Sequence, residues 1–183
     1  MIKALSPLLA ADIGGTNVRV GLVTFSLGQK KGSLCEGAVV LAKKWRHDDD
    51  ETPSRTRAVE RLAKTMQSLA RRAQKRGLKL APFIGIGCPG IINSDGSIKA
   101  GGQNLPGNWE SDHFNLATEL AKAIPTINGE QPLIFIHNDA VLQGLSQVPY
   151  MRDAARWGIL TVGTGVGNAR FTNLPLRRER RGK

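Results

Sequence analysis

Long hydrophobic runs, cysteines and aromatic residues are all scarce in this sequence. It has no run of about 18 apolar residues, and the short apolar stretch at 8–11 leads straight into Asp12. This excludes a membrane span and argues against a signal peptide. Only Cys35 and Cys88 occur, with no further cysteine or histidine at metal-ligand spacing. Neither a disulfide framework nor a structural zinc site is indicated, and a reducing, cytoplasmic setting fits best.

Acidic residues are also few, and the formal net charge is +11. The last seven residues carry five positive charges and one negative, and many other basic residues lie at 55–76, where apolar residues recur at helical spacing. That pattern is typical of a solvated helix face, with an anion-binding surface as the alternative. Because only 5% of the residues are aromatic, base stacking has little basis and a nucleic-acid partner is not expected.

The apolar residues that are present follow clear periodicities. Residues 8–11 and 18–23 flank a Gly-Gly turn and predict a β-hairpin, with 38–42 as a third antiparallel strand. The helical pattern at 55–76 has Ser54 as its candidate N-cap and a glycine placed to end it.

The rest of the chain alternates strands with helices. Buried strands are predicted at 83–87, 133–136 and 158–162, and helices at 114–124 and 140–147. A three-stranded meander followed by such alternation predicts an α/β fold with a mixed sheet. No partner strand is predicted after 158–162, so we expect an open edge, unburied apolar surface and poor stability without a complementing partner.

The run Asp12-Ile13-Gly14-Gly15-Thr16-Asn17 follows a buried strand. Glycines let the backbone N–H groups approach an anion, a threonine hydroxyl adds a donor, and an aspartate beside phosphates suits Mg²⁺ held through water. A hairpin turn that only needs glycine conformations would have the same composition.

A second run of this kind, Gly163-Thr164-Gly165-Val166-Gly167, follows the strand at 158–162. Neither run has the terminal lysine of a P-loop, so Walker-type binding is excluded. The alternative is again a plain glycine turn. Two such turns are nevertheless able to face each other across a cleft and hold one polyphosphate from both sides.

Polar residues also stand at the end of the most hydrophobic strand, in the run His137-Asn138-Asp139-Ala140. For a lone aspartate, a helix N-cap is the favoured interpretation of Asp139. The carboxyl ends of strands are, however, where α/β sheets bind ligands and place catalytic groups.

In this order the three motifs resemble those of the ROK family of sugar kinases and its glucokinases, within the actin and hexokinase superfamily. Two further segments are similar to family motifs. Gly85-Ile86-Gly87-Cys88-Pro89-Gly90 resembles a Gly-x-Gly-x-Pro-Gly stretch, and Gln103-Asn104-Leu105-Pro106-Gly107-Asn108-Trp109 resembles the sugar loop Asn-Leu-x-Gly-Trp. The resemblance spans residues 8–173.

The resemblance implies ATP-dependent phosphorylation of a hexose, glucose above all, at a primary hydroxyl, with Asp139 as the base. The implied sugar-binding residues are Asn104, Asn138, Asp139, Gly87, Pro89 and Gly90. The implied ATP-binding residues are Asp12, Gly14, Gly15, Thr16, Asn17, Gly163, Thr164, Gly165 and Gly167, with Asp12 holding Mg²⁺ through water. The implied partners are a hexose and a nucleotide, without a membrane, and a homo-oligomer is one possibility.

The implied fold is actin-like, that is ribonuclease H-like. We expect an N-terminal lobe at 1–150, the start of a second lobe at 151–173 and a basic tail at 174–183. The family's adenosine-binding segment, zinc motif and further histidine and glutamate sugar ligands have no counterpart in this sequence. Asn168-Ala169 replaces a Gly-Gly pair, and Asn108 separates the glycine and tryptophan of the sugar loop. With seven residues before Leu8, a DNA-binding repressor is not expected.

Two interpretations from other classes stay open beside the kinase, whose activity we expect to be crippled by truncation. One is a catalytically inactive remnant or regulatory protein that binds sugar or phosphate. The other is nucleic-acid binding through 55–76 and the tail, for which the scarcity of aromatic residues gives little support.

Overall fold

The computed structural model describes residues 5–25 and 37–174. Cys35 and nearly all of the predicted basic tail lie outside the described residues. The strands are β1 Leu8–Ile13, β2 Asn17–Thr24, β3 Ala38–Arg46, β4 Phe83–Cys88, β5 Ile91–Ile92, β6 Ile98–Ala100, β7 Leu133–Asn138, β8 Arg156–Val162 and β9 Val166–Thr172. The α-helices are α1 Arg55–Lys75, α2 Leu116–Ala123 and α3 Asp139–Gln147, and short 3-10 turns occur at His47–Asp49 and Val148–Tyr150.

A five-stranded mixed sheet in the order β3-β2-β1-β4-β7 positions the rest of the chain. The first three strands in sequence are paired antiparallel, whereas β1, β4 and β7 run parallel to one another. The predicted hairpin and mixed α/β sheet are therefore confirmed. Because β1, β4 and β7 are parallel, their carboxyl ends meet at one edge of the sheet, where α/β folds place ligands.

Helix α1 packs its apolar stripe on the sheet. Ser54 caps it by accepting from the N–H of Arg57, and Gly77 follows its end with φ of 71°, a left-handed conformation that suits glycine. Leu62, Met66 and Leu69 are at most 1% exposed. Burial of such side chains contributes about 1.5–3 kcal/mol each, so this stripe is a main source of core stability.

Two basic residues of α1 contact other parts of the protein. Arg61 pairs with Asp49 and Asp50, and the Arg55 guanidinium lies 4.3 Å from the centre of the Phe114 ring. Arg55 and Arg61 therefore brace neighbouring loops.

Strands β8 and β9 form a separate two-stranded hairpin that packs on α3. The expectation that the strand at 158–162 lacks a following partner is wrong, because β9 pairs with it over seven residues. The expected unburied apolar surface is present, since Leu160, Val162 and Val166 are 69%, 77% and 71% exposed. The apolar side chains of the hairpin's tip therefore lie in solvent.

Among the described helices, none has both the length and the apolar character needed to cross a membrane.

Candidate functional site

A cavity of about 440 Å³ opens at the sheet edge where β1, β4 and β7 end. Its size falls within the usual range for small-molecule sites. All but one of the sequence-predicted site residues line it: Asp12, Gly14, Gly15, Thr16, Asn17, Pro89, Gly90, Asn104, Asn138, Asp139, Gly163, Thr164, Gly165 and Gly167. The chain thus brings into one cleft residues that are up to about 150 positions apart in sequence.

Gly87 is the exception, because it lies within β4 behind the lining. It pairs with Asp12 on one side and His137 on the other. A Cβ at this position would lie 3.4 Å from Leu142 and 3.9 Å from the Asp12 carboxylate. Gly87 therefore lies between two strands that carry site residues, and its sugar-binding role stays a prediction.

The first glycine turn, residues 14–17, joins β1 to β2. Its backbone bond runs from the Gly14 N–H to the Asn17 carbonyl at 2.8 Å. The buried His47 lies behind it, with its N–H 3.0 Å from the Thr16 carbonyl and its Nε2 3.0 Å from the Gly14 carbonyl. Within the described residues, the N–H groups of Gly15 and Thr16 have no protein acceptor. The turn therefore presents free backbone donors at the cavity.

The second glycine turn, residues 163–167, is the tip of the β8–β9 hairpin and directly faces the first. The Thr16 and Thr164 hydroxyl oxygens are 2.6 Å apart, so one donates to the other. Gly15 and Gly165 both pack against Asn104, where added Cβ atoms would lie 2.9 Å and 3.0 Å from its side-chain atoms. Backbone therefore borders the cleft at both turns.

Asn104 is presented by the loop at 103–109. Trp109, 1% exposed, anchors this loop and donates from Nε1 to the Pro106 carbonyl at 2.9 Å. Arg55 of α1 donates to the Asn108 carbonyl, and Gly107 takes a φ of 83° against Arg55. The inserted Asn108 is thus accommodated in a loop held from below by a buried indole.

Asn138 and Asp139 have different surroundings although they are adjacent. Asn138 caps α3, its Oδ1 accepting from the Val141 N–H at 3.1 Å while its Nδ2 donates to the Gly90 carbonyl at 2.9 Å. Asp139 Oδ1 accepts only from the next N–H, that of Ala140, at 2.8 Å. The N-cap interpretation of Asp139 is therefore wrong, and its carboxylate faces the cavity that Asn104 also lines.

A second carboxylate, that of Asp12, also lines the cavity. It is paired with Arg19, whose Nη1 is 2.6 Å from Oδ2. Burial, together with the charges of Asp139 and Asp12, raises the pKa of the Cys88 thiol to about 12. Cys88 thus stays a neutral thiol behind the site, and it is not a nucleophile.

The donor set of the cleft suits a hard cation. Carboxylate and hydroxyl oxygens from Asp12, Asp139 and Thr16 line it, and such oxygens are the ligands that Mg²⁺ accepts. The described residues contain no cluster of three or more His, Cys, Asp or Glu side chains able to hold a metal.

Two functional candidates, Arg19 and His47, were not predicted from the sequence. Arg19 pairs directly opposite Asp12 in the β1–β2 register, so counting outward from the glycine turn would have found it. The contact between His47 and Gly14 joins positions 33 apart in sequence. No local pattern signals it.

No protein-family model matches the chain. A glucokinase of Thermotoga maritima is 29% identical over 168 residues, which cover 91% of this chain and 44% of that protein. Among solved structures, a Listeria monocytogenes protein proposed to be an N-acetylmannosamine kinase is 25% identical with a TM-score of 0.61, covering 91% of this chain and 47% of its own. The ROK hexokinase of Thermus thermophilus is 22% identical with a TM-score of 0.56, again over 91% of this chain and 47% of its own.

These similarities bear out the actin-like, ribonuclease H-like α/β fold that the motif order implied. The chain spans about half the length of the relatives that it matches. The match extends over 91% of this chain. The chain is therefore similar to ROK-family sugar kinases over the part of their length that it spans.

Proposed function

We propose that this chain forms the sugar and phosphate half of a kinase site that transfers the γ-phosphoryl group of ATP to a primary hydroxyl of a hexose. Glucose is the leading substrate, and Asp139 is the base. One observation carries the proposal: the Asp139 carboxylate lines the same cavity as both glycine turns. A proton acceptor for the sugar hydroxyl and two sets of hydrogen-bond donors for the phosphates would then act in the same cleft.

In the proposed reaction, the sugar oxygen attacks the γ-phosphorus as its proton passes to Asp139. The bond between the γ-phosphorus and the bridging oxygen breaks, and ADP leaves with that electron pair. Such transfer depends mainly on positioning and charge neutralisation. Orientation of the hydroxyl by the Asp139 carboxylate is as important in this reaction as proton removal.

The sugar would be held by the Asn104 side chain and by the backbone at 89–90, with a smaller contribution from Asn138. The Asn104 amide offers both donor and acceptor atoms, and it lies against Gly15 and Gly165, where hydroxyls and phosphates would meet. Gly90 and Pro89 add backbone surface. Asn138 is a weaker candidate than the sequence suggested, because cap and Gly90 bonds already engage both ends of its amide.

The phosphates would lie between the two glycine turns, against the free N–H groups of Gly15 and Thr16 and the hydroxyls of Thr16 and Thr164. Asp12 would hold Mg²⁺ through water, and the ion would supply charge neutralisation for the phosphates. Arg19 contributes a nearby positive charge and balances Asp12. The hydroxyl pair at 2.6 Å must separate to admit a phosphate oxygen.

A binding protein without catalysis is the second candidate function. Its support is that two side chains of the phosphate site already have partners within the chain, since Asp12 is paired with Arg19 and Thr16 is bonded to Thr164. A protein of this kind would bind hexose or phosphate and regulate another molecule. Turnover distinguishes it from the kinase.

The test is a coupled assay of the chain with Mg²⁺-ATP and glucose, mannose or N-acetylmannosamine, beside Asp139→Asn. The substitution keeps size and removes the base, so we expect a loss of about 10²–10⁴-fold in turnover. Hexose affinity, measured by calorimetry, should change little in comparison. Equal losses in turnover and affinity would make Asp139 a sugar ligand and not a base.

A further inference from the structure

We propose that His47 is the positioning residue that keeps the first glycine turn open for phosphate. The proposal rests on the proposed kinase function, because it assigns the construction of that site's phosphate loop to a residue outside the cavity. His47 does not line the cleft. It acts through the backbone of residues 14–17.

Two bonds connect His47 to this turn. Its backbone N–H donates to the Thr16 carbonyl at 3.0 Å, and its ring Nε2 lies 3.0 Å from the Gly14 carbonyl. A carbonyl oxygen only accepts, so Nε2 must carry the proton in this contact. The side chain is buried, with 8% of the residue exposed, and it is the one polar residue in the buried set of the described chain.

The ring contact changes how the turn closes. In an ordinary four-residue turn the carbonyl of the first residue accepts from the N–H of the fourth. Here the Gly14 carbonyl accepts from His47, and the bonds of the described loops include none from the Asn17 N–H back to Gly14. His47 therefore takes the place of the donor that would tighten the turn.

The planarity of the peptide group then sets the direction of the backbone N–H groups in this turn. In a trans peptide the C=O and the following N–H point in opposite directions. Because the Gly14 carbonyl is bonded to His47, the N–H of Gly15, which belongs to the same peptide group, is directed away from His47. The Gly15 N–H is one of the two free donors of this turn, so His47 orients a group that the phosphate would bind.

The position of His47 is itself fixed by α1. His47 opens the 3-10 turn after β3, and the Arg46 N–H donates to Asp49 Oδ2 at 2.9 Å. Arg61 of α1 reaches Asp49 at 3.3 Å and Asp50 at 3.5 Å. The turn that carries His47 is therefore held in place by α1, and this fixes the position of the imidazole.

The test measures binding of Mg²⁺-tripolyphosphate and, separately, of glucose to the 183-residue chain by calorimetry. His47→Leu keeps bulk and loses the donor, and His47→Gln restores an N–H at a similar reach. We expect His47→Leu to weaken tripolyphosphate binding at least about tenfold, with glucose binding unchanged and His47→Gln close to wild type. His113→Leu, at an exposed histidine outside the cleft, is the matched control.

Three results would overturn the proposal. Equal tripolyphosphate affinity in the wild type and His47→Leu removes the role of His47 and leaves the kinase proposal standing. Absence of tripolyphosphate binding in the wild type removes both. Parallel loss of glucose and tripolyphosphate binding, unrescued by His47→Gln, assigns His47 a general folding role. If His47→Leu does not fold, His47→Asn decides, because its shorter amide should also cost about tenfold.

Discussion

Asn138 and Asp139 divide two tasks that one residue could not perform together. A side chain that caps a helix is committed to the backbone N–H two or three positions on, so it cannot also face a ligand freely. Asn138 takes this commitment by accepting from the Val141 N–H, and its other end holds Gly90. Asp139 is thereby left with one local bond and an orientation toward the cleft.

This division predicts unequal effects of two substitutions at Asn138. Asn138→Ala removes the cap and leaves the Gly90 carbonyl without its donor, so we expect a loss of about 1–2 kcal/mol in the free energy of unfolding. Asn138→Asp keeps a capping oxygen and should cost less, because only the bond to Gly90 is lost. Urea unfolding followed by circular dichroism measures both. Equal losses in the two variants would contradict the capping role.

At the scale of helices and strands, most of the main sheet follows from local pattern. Alternation predicted the β1–β2 hairpin, and a serine before a helical pattern predicted the start of α1. Asp12 and Asp139 were predicted as site residues from two motifs and the order of those motifs along the chain. The rule that α/β sheets bind ligands at the carboxyl ends of strands supported Asp139 in addition. These features depend on short-range periodicity and on a general rule of sheet topology.

Strand β9 was missed for a physical reason. Its inward positions are Gly167, Ala169 and Phe171, and an outward position is the apolar Val166, so the hydrophobic alternation that marks a strand is weak. The β8–β9 hairpin packs on α3 at Gly144, where the absence of a side chain leaves a notch for Phe171. A Cβ at Gly144 would lie 2.1 Å and 2.3 Å from two carbons of the Phe171 ring. Such a long-range fit has no local signature in the sequence.

The notch predicts that Gly144→Ala destabilises the hairpin although alanine favours helices. Propensity alone would make this change stabilising by up to about 1 kcal/mol. The clash with Phe171 should instead displace the hairpin and its glycine turn from the cleft. Hydrogen exchange should then speed up at 156–172, while β1 and β4 keep their protection. Gln143→Ala, at an exposed position of the same helix, is the control, and slower exchange in Gly144→Ala would contradict the notch.

At the scale of the whole molecule, the described residues include several exposed apolar side chains. One group lies on the edge strand β7, where Leu133 and Phe135 are 65% and 47% exposed. Another lies at the hairpin tip, at Leu160, Val162 and Val166. Contiguous exposed apolar patches mark surfaces that partners cover. The division into lobes at 1–150 and 151–173 stays a prediction, although the separate β8–β9 hairpin is compatible with it.

The exposed surfaces and the open cleft together predict low activity for the 183-residue chain by itself. Phosphoryl transfer needs both substrates to be held and water to be excluded, and a site built from one side gives less of each. We expect turnover with Mg²⁺-ATP and glucose far below the ~1–100 s⁻¹ of ordinary kinases, and glucose affinity weaker than micromolar. A coupled assay over a hundredfold range of protein concentration measures this.

The concentration series also tests whether copies of the chain complete one another. Turnover per chain that stays constant and low would mean that each copy works alone with an incompletely covered cleft. Turnover that rises with concentration would mean that a second copy covers the apolar surfaces and closes the site. Asp139→Asn should abolish the activity in either case. Full activity at the lowest concentration, lost in Asp139→Asn, would contradict the expectation and show that a single chain builds the whole site.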